Sequence, residues 1–139
     1  MQIAELSEGM ELPTVSIPIT LQRLVMEAGA NRDFSLIHHD SQVARATGAP
    51  DAFANTFFLM GMFERLLREW IGPQARIRKI GPLRMLIFNA VGDTVQFTGA
   101  VEAIDAGAGT VTLDLWGQSE RGRTVTSKAI VELAGNAMG

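Results

Sequence analysis

The sequence contains no cysteine among its 139 residues. This absence excludes disulfide frameworks, thiolate zinc sites and cysteine nucleophiles, and it fits a protein of a reducing compartment. The opening stretch, MQIAELSEGMELP, lacks the basic and apolar segments of a secretory signal. The longest apolar run, around Phe57 to Phe63, is far shorter than the roughly 20 residues that a membrane-spanning helix needs. We therefore expect a cytoplasmic protein that has no membrane partner.

Charge is also scarce. Charged residues make up 19% of the chain, and the formal net charge is −3. A chain without a positive excess has little attraction for a phosphate backbone, so nucleic acid is not expected as a partner. Apolar residues reach 47%, which is enough to build a core, and the length suits one domain. We expect residues 1–139 to form a single domain.

The hydrophobic pattern predicts a strand and two helices in the first half of the chain. The alternating stretch TVSIPIT indicates a strand, and Pro18 keeps it at a sheet edge. In ITLQRLVMEAGANRD the apolar residues recur at helical spacing, with Gly29 as a natural stop. The strongest helix lies in AFANTFFLMGMFERLLREWIGP and begins near Asn55-Thr56. Its first half is apolar on all sides, which predicts a helix buried inside the protein.

The second half of the chain reads as strands. ARIRKIGPLRMLIFN is one segment with a bulge or kink at Gly81-Pro82, and three alternating segments follow at hairpin spacing: GDTVQFTGAVEAID, TVTLDLWGQSE and TVTSKAIVEL. Helices followed by an antiparallel meander indicate an α+β fold. One apolar helix wrapped by one curved antiparallel sheet is the hot-dog fold. Because Trp116 and Ile130 make the outer sheet face less than fully polar, we also expect a partner chain.

Both histidines of the chain lie in RDFSLIHHD, each close to an aspartate. If this loop curls over one turn, Asp33 and His38 can address a common point, and a carboxylate with an imidazole can handle the protons of a water molecule. The alternative is an aspartate that caps a helix and a histidine bonded locally. A metal site is disfavoured, because adjacent histidines point in different directions and no third ligand lies at helical spacing. Asp40 is expected to cap a short helix in SQVARATG, and His39 is expected to be a surface or supporting residue.

The start of the strongest helix is the second candidate for chemistry. Free N–H groups at a helix N-terminus can hold an oxyanion or polarise a carbonyl. Asn55 could supply a cap or a further polar contact there. The simpler interpretation is that Asn55 or Thr56 serves as an ordinary N-cap.

These residues resemble a known signature. The pattern Asp33-x4-His38-x-Asp40, then Ala44 and Gly48, then AFANTFF, is similar to D-x-N-P-x-H-x-D-x3-A-x3-G-F and the following helix start of the MaoC-like, (R)-specific enoyl-CoA hydratases. The likeness extends from about Ile19 onward. It implies a dimer of hot-dog units that adds water across the double bond of a 2-enoyl-CoA. Coenzyme A is then part of the substrate, and no cofactor is implied.

The same resemblance implies roles for individual residues. Asp33 and His38 would be the catalytic dyad that holds the water, with Asp33 polarising it for attack at C3 and His38 assisting proton delivery to C2. The Thr56 backbone N–H would bind the thioester carbonyl. The sequence departs from the family around the acyl pocket: Ser35 and Leu36 replace Asn-Pro, Asn55-Thr56 replaces His-Gly, and Ala49 replaces an aromatic.

A narrower resemblance accounts for several of these departures. RDF…HHD, AFANTFF and REWIGPQARIRKIG are similar to the small subunit of actinobacterial heteromeric steroid side-chain enoyl-CoA hydratases. This likeness implies a bulky, sterol- or bile-acid-type acyl-CoA and a second hot-dog chain that lacks a dyad, although a homodimer stays open. Substrate contacts are expected from Ser35, Asn55 and Thr56. Arg76 and Arg78, with Lys79 and Arg84, form either a positive rim for the phosphates of coenzyme A or a solvated strand face.

Two other functions stay open. A hot-dog thioesterase would use a carboxylate on the central helix, where Glu64 is the only carboxylate near the middle and lies on the polar face. A non-catalytic hot-dog subunit would only complete the acyl-CoA pocket of a partner. The intact pair of Asp33 and His38 favours the hydratase over both.

Overall fold

The computed structural model describes residues 1–133, which form three α-helices and a six-stranded antiparallel sheet. The helices are α1 (Leu21–Asn31), α2 (Ser41–Ala46) and α3 (Thr56–Ile71). The strands are β1 (Val15–Pro18), β2 (Arg76–Ile80), β3 (Arg84–Met85), β4 (Thr94–Asp105), β5 (Thr110–Ser119) and β6 (Gly122–Glu132). The strand order is β1-β4-β5-β6-β2, and β3 pairs with β6 beyond the kink at Gly81-Pro82.

The three long strands form the predicted meander, and alternate residues on each of them face the core. Their buried apolar side chains are Val95, Phe97, Val101, Val111, Leu113, Leu115, Val125, Ala129 and Val131. Irregularities in register between Val101 and Ala103, and between Gly117 and Gln118, curve the sheet. At Gly117 an added Cβ would lie 2.8 Å from a methyl group of Val125, so this close approach requires glycine.

Helix α3 packs against the concave face of this sheet through one side only. Leu59, Phe63 and Leu67 are fully buried, and the Phe63 ring meets Phe97 edge to face with centroids 5.3 Å apart. The opposite side of the helix faces outward, and Phe57 is 62% exposed. The hot-dog prediction is confirmed. The expectation of burial on all sides was wrong, because no segment within residues 1–133 covers the outer face of the first two turns.

Helix α1 begins where the pattern predicts, with the Thr20 side chain accepting from the Arg23 N–H, but it ends later than expected. The helix continues through Gly29 and stops at Arg32, which adopts the left-handed conformation with φ of 54°. The prediction that Gly29 ends the helix was therefore wrong. None of the helices in residues 1–133 combines the length and apolarity that crossing a membrane requires.

Candidate active site

Asp33 is placed by the end of α1. Immediately after Arg32 turns the chain, the Asp33 N–H donates to the Ala28 carbonyl at 2.9 Å. One carboxylate oxygen, Oδ1, accepts from the Ser35 N–H at 3.0 Å, which closes an Asx turn. The other, Oδ2, accepts from Nδ2 of Asn55 at 2.8 Å. Both oxygens of Asp33 are therefore held by donors of the chain.

His38 ends a 3₁₀ turn over Leu36–His38, and its ring is held by the segment that leads into α3. Nδ1 lies 2.9 Å from the main-chain carbonyl oxygen of Phe53. Because a carbonyl can only accept, Nδ1 carries the hydrogen, and in the neutral ring Nε2 is left as an acceptor. Nε2 faces Asp33 Oδ2 across 3.9 Å. The structure thus brings the two predicted groups to one point.

The space between these two atoms suits a water molecule. A separation of 3.9 Å is too long for a direct hydrogen bond, but one water can donate a hydrogen to each atom. The hydrogen bond from Asn55 lowers the pKa of Asp33, as do the Ser35 N–H and, less strongly, the nearby His38 and His39, while desolvation acts in the opposite direction. Asp33 is therefore a carboxylate at neutral pH. The side chains of His38 and Asp33 are 15% and 23% exposed, so the pair is accessible.

The N-terminus of α3 adjoins the dyad through Asn55. The side-chain oxygen of Asn55 accepts from the Phe58 N–H at 2.8 Å and caps the helix, while its amide nitrogen holds Asp33. Within residues 1–133 no group accepts from the N–H of Thr56 or Phe57. Free N–H groups at the positive end of a helix of 16 residues can bind a carbonyl oxygen on which negative charge develops.

Five of the seven predicted site residues meet here: Asp33, Ser35, His38, Asn55 and Thr56. Ser35 contributes its main-chain N–H. Asn55 is 5% exposed and has both ends of its amide engaged, so the contacts give it a positioning role toward Asp33 and leave direct binding of substrate a prediction.

The two predicted arginines lie elsewhere. Arg76 and Arg78 are on strand β2, beyond the C-terminal end of α3, a helix about 24 Å long. Arg78 is already paired with Glu132. Neither arginine contacts the dyad, and their predicted role toward the phosphates remains a prediction.

One smaller prediction near the site, the helix cap at Asp40, is confirmed. Asp40 caps α2 by accepting from the Val43 N–H at 3.1 Å, as predicted. In the described part of the chain, no three histidine, aspartate or glutamate side chains cluster closely enough to hold a metal ion. A concave surface of about 570 Å³ lies over β5 and β6 beside Trp116 and Arg123, and neither Asp33 nor His38 lines it.

Sequence reasoning missed Phe53. Its carbonyl fixes the His38 ring, and its own ring meets the His38 ring edge to face with centroids 4.9 Å apart. A main-chain acceptor leaves no trace in residue type, so no signal in the sequence could have identified it. The contact between Asn55 and Asp33, 22 residues apart, was also missed, because spacing arguments work only within one local element.

Comparisons with known proteins agree with this fold. No family model matches the chain. A Mycobacterium tuberculosis protein named 3-oxo-4,17-pregnadiene-20-carboxyl-CoA hydratase beta subunit is 36% identical over 126 residues, which cover 91% of this chain and 94% of that protein. A chain in the crystal structure of the ChsH1–ChsH2 complex from M. tuberculosis superposes with a TM-score of 0.86 and 33% identity, covering 92% of this chain and 98% of that one.

A third similar protein supports the fold alone. The (R)-hydratase from A. caviae that is involved in PHA biosynthesis superposes with a TM-score of 0.84 and 23% identity, over 93% of this chain and 98% of that one. The architecture is that of the hot-dog fold. At 36% identity over nearly the whole length of its relative, the chain belongs to the MaoC-like hot-dog hydratase family.

Proposed function

We infer that this chain is the catalytic subunit of an enoyl-CoA hydratase, which adds water across the 2,3 double bond of a 2-enoyl-CoA thioester. The observation that carries this proposal is the separation of 3.9 Å between Asp33 Oδ2 and His38 Nε2, beside the free N–H groups at the start of α3. Two acceptors that share one water leave a lone pair of its oxygen directed away from both hydrogens. That lone pair is the nucleophile that hydration of a conjugated double bond requires.

The dyad accepts one proton and releases one proton in each reaction. As the water oxygen bonds to C3, one water proton passes to the pair of Asp33 and His38, with the Asp33 carboxylate polarising the O–H bond. The pair returns a proton to C2 with the help of His38, so it ends in its starting protonation state. Asn55 and Phe53 hold the two groups throughout the reaction. The Phe53 carbonyl accepts from Nδ1 of His38, the ring nitrogen that does not face the water. The Asn55 amide donates to Oδ2 of Asp33, the oxygen that also faces the water.

The thioester carbonyl of the substrate would accept from the Thr56 N–H. Attack at C3 moves negative charge onto this carbonyl oxygen, and the free N–H groups at the start of α3 would stabilise the enolate-like state. Donors of this kind are worth about 10²- to 10³-fold in rate. They are in place before the reaction, because the cap by Asn55 fixes the first turn of the helix.

The acyl group is proposed to be bulky and of steroid type, and the active unit is proposed to contain a second hot-dog chain. Support for the acyl group comes from the similar M. tuberculosis protein, whose name places it in the hydration of a pregnadiene carboxyl-CoA. Support for the partner comes from the ChsH1–ChsH2 complex and from the uncovered apolar face of α3. The candidates for the phosphates of coenzyme A are Arg76, Arg78, Lys79 and Arg84. We place the reaction in the cytoplasm.

The test is an assay of the chain, alone and with its partner, on short-chain and steroid enoyl thioesters. Hydration removes the absorbance of the conjugated thioester without release of thiol, whereas a thioesterase would release free coenzyme A. Asp33→Asn and His38→Ala should each abolish hydration in a chain that circular dichroism shows to be folded at the assay temperature. Glu64→Gln is the control, because Glu64 is exposed on the outer side of α3. Wild-type rates in both dyad variants would contradict the proposal.

A further inference from the structure

Phe53 links the dyad to a second aromatic ring. On one side its ring meets His38 edge to face, and its carbonyl holds Nδ1 of the same imidazole. On the other side its ring contacts Phe88, with centroids 4.6 Å apart and planes inclined by 49°. Phe53 itself is buried. A continuous row of three rings therefore runs from the catalytic imidazole to Phe88, which is partly exposed.

Phe88 ends a run of four consecutive exposed apolar residues, Met85–Phe88. Four large apolar side chains in sequence at a surface are unfavourable unless something covers them. This segment is also fixed in place. The N–H groups of Leu86 and Ile87 both donate to the Thr124 carbonyl, and the Asn89 carbonyl accepts from the Ala54 N–H at 2.9 Å. These hydrogen bonds therefore hold the exposed apolar segment in one defined conformation.

The shape and chemistry of this surface suit a hydrocarbon ligand. The segment Met85–Phe88 lines a concave surface of about 420 Å³, within the range of small-molecule sites. All four lining residues are apolar, so no side chain there can recognise a ligand by hydrogen bonding or charge. Recognition must come from contact area, which favours a large, rigid, uncharged group such as a fused ring system over a short acyl chain.

We propose that Met85–Phe88 binds the ring-bearing end of the acyl group, and that the contact of Phe88 with Phe53 uses this binding to hold His38 in position. The proposal rests on the proposed hydratase function and adds the residues that select the substrate. A substrate whose double bond lies at the dyad has its acyl group close to this surface, because the row of rings connects the two. Binding energy from a remote part of a substrate can then serve the reacting centre.

The experiment compares two substrates on the full chain with its partner: crotonyl-CoA and a 2-enoyl-CoA whose acyl group carries a fused-ring system. In Phe88→Ala, kcat/KM for the fused-ring substrate should fall about 10- to 100-fold relative to crotonyl-CoA, with part of the loss in kcat. Leu86→Ala, at a lining residue that is 52% exposed, should lower the same ratio without a risk to folding. Met26→Ala is the matched control, since Met26 is 66% exposed on α1 and outside the concave surface.

Two results would overturn this inference while the hydratase function stands. One is an unchanged substrate ratio in both Phe88→Ala and Leu86→Ala. The other is a parallel loss on both substrates together with dissociation of the partner in analytical ultracentrifugation, which would make the surface a subunit contact. A wild-type complex that hydrates neither thioester would instead overturn the proposed function and this inference with it.

Discussion

Replacing Asn55 with alanine should destabilise the protein in two separable ways. The first is loss of the α3 cap, the bond from the Phe58 N–H to the Asn55 side chain at 2.8 Å, which costs about 1 kcal/mol. The second is loss of the bond to the ionised Asp33 carboxylate, also 2.8 Å, worth about 1.5 to 3 kcal/mol when buried. Since Asp33 is partly exposed and water can replace the amide, we expect a total of about 2 to 3 kcal/mol at neutral pH.

The two contributions respond differently to pH. The pKa of Asp33 in the folded chain lies below its ordinary value of 3.8, chiefly because Asn55 donates to it. A carboxyl with a lowered folded pKa adds stability that is fully present above the unfolded pKa and is lost as pH falls through the folded pKa. The cap does not titrate. The cost of Asn55→Ala should therefore shrink toward about 1 kcal/mol as the solution is acidified below pH 4.

Urea unfolding, followed by circular dichroism at neutral pH and in steps through the acid range, measures both contributions. Thr20→Ala is the matched control, because Thr20 caps α1 through the Arg23 N–H and contacts no carboxylate. Its cost should be about 1 kcal/mol at every pH. If Asn55→Ala costs no more than Thr20→Ala at neutral pH, or if its cost does not change on acidification, the Asn55–Asp33 bond does not act as described.

Three further substitutions test other parts of the structure. Thr56→Pro removes a free N–H at the first position of α3, where proline is tolerated. The hydration rate should fall about 10²- to 10³-fold while the unfolding temperature stays unchanged. Thr56→Ala keeps the N–H and should stay active. Arg32→Gly should raise the unfolding free energy by about 1 kcal/mol in urea titrations, since φ is 54° there. Asn89→Leu should raise the unfolding free energy by about 1 to 3 kcal/mol, because neither polar atom of the buried Asn89 amide has a hydrogen-bond partner within residues 1–133. A lower unfolding free energy in calorimetry would instead show that the amide is hydrogen-bonded.

The features that sequence could predict are those set by local pattern. Alternation of apolar residues placed the meander, and the Asp33-x4-His38 spacing placed both groups within one turn of chain, so their convergence followed from local geometry. The features that it could not predict depend on contacts between distant segments. The tautomer of His38 is set by a carbonyl 15 residues away. Arg32 ends α1 in place of Gly29 because the next residue is fixed at two points: the Asp33 N–H donates to the Ala28 carbonyl, and the Asp33 carboxylate accepts from Asn55.

The dyad and its apolar surroundings differ in how complete they are within this one chain. Within residues 1–133, the side chains of Asp33 and His38 are oriented by the Ser35 N–H, the Asn55 amide and the Phe53 carbonyl. The apolar surroundings are open by contrast, and Phe34, directly after Asp33, is 84% exposed. Leaving an apolar side chain of this size in water is unfavourable, and burying it would stabilise the structure. Under the proposed hydratase function, this chain would supply the catalytic groups, and substrate and partner together would exclude water from the reaction.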